Sequence, residues 1–249
     1  MTKIVLLGAG NVGIHLCRAL QNKENLQLIQ WYNRSLNSLE KESVPFAVTQ
    51  NLNDIIQADL YIISVSDSVI PAISKALEGK KGIIAHTAGS ISMEVLGAHE
   101  NHGIFYPLQT FSKQKEVDFN QIPLCLEANQ QENLNLLKKV AQAIGGPVHL
   151  IDSAQRKALH VAAVFVNNFT NHLYTIGEEL CNAHKVPFSV LQPLIAETAD
   201  KMKHLPPSLA QTGPAARGDQ KILEDHLLYL TKESHQKIYQ LISASIQQQ

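Results

Sequence analysis

Cysteine is scarce in this chain. Cys17, Cys125 and Cys181 are an odd number, lie far apart, and form no Cys-x-x-Cys pair. That excludes a disulfide framework or a thiolate metal site assembled within one chain in the usual spacings, and the expected compartment is the reducing cytoplasm. Charge of one sign is also lacking: 21 Lys and Arg stand against 22 acidic residues, so neither nucleic acid nor an anionic membrane is expected as a partner. Sparse aromatics and the absence of a Lys/Arg block point the same way. No apolar run reaches membrane-spanning length. The stretch from Met1 to Gly13 is apolar, but three glycines interrupt it and a polar helix follows, so it reads as strand and turn rather than a signal sequence. Gly-x-Ser-x-Gly, Walker-type and zinc-protease motifs are missing. His99 and His102 have no carboxylate or cysteine set beside them, so no metal is expected.

What is present is an ordinary globular balance, 45% apolar and 17% charged, with no sign of disorder. A length of 249 residues suits one medium and one small domain. Strand and helix patterns alternate through the first part. Strands are expected at Ile4–Leu7, Gln27–Tyr32, Phe46–Val48, Leu60–Val65, Gly82–His86, Gly103–Tyr106, Ile122–Glu127 and Val148–Ile151. Helices are expected at Val12–Leu20, from Leu36 with Ser35 as its cap, in a turn capped by Asn53, through Leu77 with Asp67 or Ser68 as its cap, and at Glu132–Ile144. The near-continuous β-rich run at Leu60–Val65 marks a strand buried on both faces. After Asp152-Ser153 nothing reads as a strand, and helices are expected at about 154–184, 188–203, 219–230 and 233–246. The expected fold class is therefore α/β: a Rossmann-type doubly wound parallel sheet over 1–152, with a second, all-helical domain over 153–249. The first of these C-terminal helices is apolar around much of its circumference, from Ala158 to Ile176, and is expected to be buried and to support a homodimer.

Gly8-Ala9-Gly10-Asn11-Val12-Gly13 fits G-x-G-x-x-G directly after a strand and at the start of a helix. In that context Gly8 allows the tight turn, Gly10 lets the backbone approach a pyrophosphate, and Gly13 lets helix and strand pack closely. Roughly 20 residues on, where an NAD enzyme carries Asp or Glu for the ribose, the chain has Asn33-Arg34-Ser35. A guanidinium beside neutral hydrogen-bonding groups suits a 2′-phosphate, so the expected cofactor is NADP(H). Val65, Ser66 and His86 sit at ends of central strands, where doubly wound sheets place ligands, and are expected on the nicotinamide side. His160, Asn167 and Asn171 form a polar stripe on the apolar helix; they face a wet cleft or bond backbone between domains. Arg217 either binds an anionic substrate or anchors its loop, while Asp219 is most simply a helix N-cap.

Together these motifs resemble NADP-binding Rossmann proteins with a helical C-terminal domain: pyrroline-5-carboxylate reductase, the β-hydroxyacid dehydrogenases and deazaflavin-dependent NADP reductases. More closely, the chain resembles a bacterial family joining a Rossmann-like domain to a C-terminal domain of unknown function. The likeness is carried by His86-Thr87-Ala88-Gly89-Ser90, Pro107-Leu108-Gln109-Thr110-Phe111, His160 through Asn168 and Thr212 through Asp219. The expected family form has His before Pro107, where this chain has Tyr106. β-Hydroxyacid dehydrogenases carry Lys-x-x-Asn on the first long helix, with the lysine as proton donor. Matching Asn167 to that asparagine puts Val164, which transfers no proton, at the lysine position. The expected function is an NADP(H)-dependent oxidoreductase moving hydride to or from a small carbonyl or imine compound. From the geometry of such sheets Arg217 is expected to bind a substrate carboxylate, His160 to donate or shuttle a proton, and Asn167 to orient the reacting group. From a different class, a catalytically silent NADP(H)-binding sensor or scaffold fits the same sequence, and a deazaflavin or flavin partner stays open.

Overall fold

The structure is a computed structural model that describes residues 1–35 and 44–248. The helix expected from Leu36 lies outside the described residues. The chain divides into two compact units, Met1–Asn167 and Asn168–Gln249. The change from strands to helices falls at Asp152, as the sequence suggests, while compactness keeps the next helix with the first unit.

The first unit is built on β1 (Thr2–Leu7), β2 (Leu26–Tyr32), β3 (Ala47–Thr49), β4 (Leu60–Ile63), β5 (Ile83–His86), β6 (His102–Pro107), β7 (Leu124–Ala128) and β8 (Val148–Leu150). They form one sheet in the order β3-β2-β1-β4-β5-β6-β7-β8, parallel throughout except where β6 meets β7. The order reverses beside β1, which pairs β2 on one side and β4 on the other. Alternating side chains feed two cores. Ile4, Leu6, Leu60 and Ile62 face one way, against α1 (Asn11–Leu20) and α3 (Gln131–Ile144). Val5, Leu7, Tyr61 and Ile63 face the other, against α2 (Ile70–Ala76). Covering both faces explains why the strands read as apolar runs rather than alternations.

Local details differ from expectation. Asn51, not Asn53, caps the turn at Leu52–Asp54, its side chain accepting the Asn53 N–H. A short 3₁₀ turn at Asp67–Val69 precedes α2, and the Asp67 carboxylate bonds the Ser90 hydroxyl instead of capping. Gly145 closes α3 in the left-handed conformation, φ 103°.

Helix α4 (Ser153–Ala163) begins with a capping box in which the Asp152 side chain accepts the Gln155 N–H and the Gln155 amide oxygen accepts the Asp152 N–H. A π-helical segment follows at Val164–Phe169, then α5 (Thr170–Ala183). The stretch is helical as expected, but its expected burial is not found in a single chain. Phe165 is 62% and Val166 75% exposed, and the buried member of α4 is Arg156. Apolar composition gives a helix something to cover without saying which surface covers it.

The second unit continues with α6 (Gln192–Lys201), α7 (Pro207–Ala210), α8 (Pro214–Arg217), α9 (Gln220–Tyr229) and α10 (Glu233–Gln247). Ala215, Leu223 and Leu230 form its buried centre. Asp219 caps α9 as expected, accepting the Ile222 N–H at 3.4 Å. Among the described residues no helix is long and apolar enough to cross a membrane.

Candidate functional site

A cleft of about 570 Å³ opens at the C-terminal strand ends of the first unit. Its walls come from the segments after β1, β2, β4, β5 and β6, together with His160 of α4. This is the position at which a reversal of strand order leaves a crevice.

The glycine loop is fixed from three sides. Gly8 has φ 112°, and a Cβ on it would lie 2.1 Å from the Ser64 carbonyl oxygen. Its N–H donates to Tyr32 O at 2.7 Å, and its carbonyl accepts the Trp31 indole N–H at 2.9 Å. A Cβ on Gly13 would meet the Gly8 oxygen at 2.2 Å, so helix and loop touch backbone to backbone. Gly10 is different: a Cβ there meets nothing within 4 Å, and the residue borders the cleft. It precedes α1 without a side-chain cap. An open flank beside a helix N-terminus fits the phosphates of a dinucleotide.

Ala9, Asn11 and Val12 also line the cleft. The Asn11 amide donates to Phe111 O at 2.9 Å, and His15 Nε2 bonds Ser112 O at 2.9 Å, which ties the Pro107–Phe111 motif over the start of α1. Asn33 lines the cleft too, but its side chain is committed. Its oxygen accepts the Ala9 N–H at 3.1 Å and its nitrogen donates to Ser35 O at 2.8 Å. Arg34 is exposed on the cleft wall, and Ser35 is exposed beside it.

Val65 and Ser66 line the cleft. His86 does not. Its ring is fully buried behind the wall, where Nδ1 accepts the Ala88 N–H at 3.2 Å and Nε2 faces Ser92 O at 3.4 Å. Burial pushes its pKa down to about 4, against which the Ser92 bond acts in part. His86 thus shapes the turn Thr87–Gly89, which supplies the wall. Between the ordinary histidine value of 6.5 and about 4, the unfolded chain binds a proton that the folded chain refuses. Stability is therefore expected to decline as pH falls through that window. Melting temperatures at several pH values should show a steeper acid decline for the unaltered protein than for His86→Gln.

The far end of the cleft holds Tyr106, Gly89 and His160. Tyr106 Oη lies 3.3 Å from His160 Nδ1, with the rings edge to face at 6.3 Å. Burial raises the Tyr106 phenol to about 12. A Cβ on Gly89 would come within 2.5 Å of His160 Nδ1 and 2.9 Å of the Tyr106 ring, so glycine makes room for both. One turn before His160, Arg156 is 1% exposed. It pairs with the Glu127 carboxylate on β7 and donates to Ile91 O at 2.6 Å and Ser153 Oγ at 3.1 Å. Ser153 donates to Glu127 as well, through its N–H and its hydroxyl. This clasp seats α4 on the sheet. Tyr106, Gly89 and Gln109 were not singled out as site residues in the sequence. The signal available was their place in the two motifs that follow β5 and β6.

Asn167 is exposed on the π-helical segment and does not line the cleft. Arg217 belongs to the second unit, exposed at the end of α8 before a left-handed Gly218. His99 is buried against the Ser74 hydroxyl at 2.9 Å, and His102 Nδ1 bonds His99 O at 2.7 Å, an internal hydrogen-bonded pair.

A mostly parallel sheet with a cleft where its strand order reverses, and a glycine loop leading into a helix there, defines the Rossmann class. Residues 122–246 match the family described as a domain of unknown function, DUF2520, and the chain belongs to that family. Among solved structures it is similar over its whole length to a protein from Bacteroides fragilis provisionally named an NADP oxidoreductase, with 42% identity, 98% of that chain covered and a TM-score of 0.92. A protein from Thermotoga maritima shares the fold at 20% identity and TM-score 0.73, over 98% of this chain and 97% of that one. So does a pyrroline-5-carboxylate reductase from Coxiella burnetii, at 16% identity and TM-score 0.60, over 99% and 92%. No curated protein matches the chain.

Proposed function

We propose that this protein is an NADP(H)-dependent oxidoreductase that transfers hydride to or from a small carbonyl or imine compound. The observation that carries this reading is the open flank of Gly10 at a helix N-terminus, in a cleft that also presents Arg34. The name of the Bacteroides fragilis relative supports the same activity and cofactor. In this reading Gly8 to Gly13 hold the pyrophosphate, Arg34 and Ser35 meet the 2′-phosphate, and Val65 and Ser66 border the nicotinamide. NADPH, when bound, supplies the hydride. Asn33 serves by locking the loop to β2 rather than by touching the phosphate. Of the substrate-side candidates, His160 lies within the cleft.

The test is NADPH binding and oxidation by the purified chain. A preference for NADPH over NADH of about tenfold or more is expected from a guanidinium at the 2′-phosphate. Arg34→Glu should erase it by charge repulsion, measured by fluorescence titration with both cofactors. Equal affinity of the unaltered protein for the two would sink the assignment of NADP(H).

A further inference from the structure

We propose that Tyr106 is the proton donor of this reaction, and that His160 holds its hydroxyl in place and restores its proton. The inference rests on the hydride-transfer reading of the same cleft and assigns the acid that reading leaves unnamed.

The chemistry requires such a group. Once the substrate carbon has accepted a hydride, the π-electron pair of its C=O or C=N bond passes to oxygen or nitrogen, which must take a proton. Val164 stands where a lysine donor would be expected, so the acid must come from elsewhere. The hydroxyl and amide groups of Ser64, Ser66, Thr87, Asn11, Asn33 and Gln109 on the cleft wall are weaker acids than a phenol, and the other phenol there, Tyr32, ends β2 beside the glycine loop.

The geometry points to Tyr106. It is the penultimate residue of β6, on the C-terminal edge of the sheet, and its side chain is buried yet lines the cleft. Its Oη has His160 Nδ1 at 3.3 Å. With the imidazole hydrogen on Nδ1, His160 donates to Oη and leaves the phenolic hydrogen directed at the substrate. Two features of the fold hold this arrangement. Gly89 gives the ring pair a place against the backbone that no side chain would leave open. The Arg156–Glu127 clasp fixes α4 one turn before His160. Neither is needed for a glycine loop to hold phosphates.

The step balances simply. The substrate oxygen or nitrogen forms a bond to the Tyr106 proton, and the O–H electron pair stays on the phenolate. The imidazole takes a proton from solvent at Nε2 as it passes its Nδ1 proton to the phenolate, and the resulting Nε2–H ring returns to the Nδ1–H form by proton exchange with solvent. In the oxidative direction the same transfers run backwards.

The experiment uses the full chain, NADPH, and three named probes: glyoxylate, acetaldehyde and 1-pyrroline. Tyr106→Phe should lower kcat on whichever probe the unaltered protein reduces by about 100-fold, the scale of general acid catalysis. NADPH affinity, read by fluorescence titration without substrate, should stay within about twofold, because the phenol is not placed at the phosphates. His160→Ala, at a half-exposed position, should lower kcat by roughly tenfold and enlarge the solvent deuterium isotope effect on kcat, with NADPH affinity again unchanged. A packing role alone would not move the isotope effect. If Tyr106→Phe retains more than about a third of the kcat, the inference is overturned while the proposed function stands. If Tyr106→Phe misfolds, His160→Ala decides: an unchanged kcat and isotope effect overturn the inference. If the unaltered protein binds NADPH but reduces none of the probes, the hydride-transfer reading falls for these classes, and the inference with it.

Discussion

Glu127→Ala is expected to destabilise the first unit by about 3–5 kcal/mol, the usual consequence of leaving a buried charge without its partner. Arg156 is 1% exposed, so its guanidinium cannot turn to water when the carboxylate is gone. Ile91 O and Ser153 Oγ would remain as acceptors, but neither carries the opposing charge. The same substitution removes the acceptor of the Ser153 N–H and hydroxyl, loosening the first turn of α4. Urea unfolding followed by the fluorescence of Trp31, the single tryptophan and a member of the first unit's core, isolates the effect. A loss below about 1 kcal/mol would mean that the pair is solvated in solution. Replacing both partners, Glu127→Leu with Arg156→Met, should recover much of the loss, because it removes two desolvated charges together. The double variant would then separate stability from the placing of His160.

The glycine loop offers the second large effect, and two neighbouring positions should behave oppositely. Gly8→Ala places a methyl group 2.1 Å from the Ser64 carbonyl oxygen and 2.7 Å from its carbon, on a residue held at φ 112°. Backbone strain and a clash with a rigid strand end add, at a cost of about 3 kcal/mol or more. Gly10→Ala meets no protein atom within 4 Å, and Gly10 has φ −73°, which alanine adopts without strain. Its melting temperature should match the unaltered protein. NADPH affinity, however, should fall by about 10- to 100-fold, because the methyl group takes the space through which a pyrophosphate approaches the backbone. Calorimetry and fluorescence titration on the two variants give the comparison. Full NADPH affinity in Gly10→Ala would remove the loop from the binding site.

Much of the first unit was legible because two periodicities coincide there. Apolar runs at β1 and β4 announce strands buried on both faces, and the glycines between β1 and α1 announce their own geometry. What stayed hidden were choices that depend on partners distant in sequence. His86 ends a strand at the ligand edge, but whether its ring enters the cleft or the wall is decided by Ala88 and Ser92 in the turn it supports. Asn33 reads as a phosphate ligand until the Ala9 N–H takes its oxygen. Tyr106 showed in the sequence only as a departure from an expected histidine. Its meeting with His160 spans 54 positions and depends on a glycine in a third segment. Asp219 was readable as a cap because capping is local. The exposure of Phe165 and Val166 was not, since composition cannot name the surface that an apolar helix meets.

On the proposed NADP(H) assignment, the double commitment of Asn33 bears on how this protein would drift between cofactors. An asparagine codon becomes an aspartate codon by one nucleotide change, and aspartate near this place is what holds the ribose in NAD enzymes. At position 33 an aspartate would still accept the Ala9 N–H, but it would lose the donation to Ser35 O and put a negative charge beside Arg34. On that assignment, this one-nucleotide route to another dinucleotide passes through the side chain that ties the glycine loop to the segment after β2. A lineage taking it must re-anchor the segment after β2 before, or together with, any change in ribose recognition.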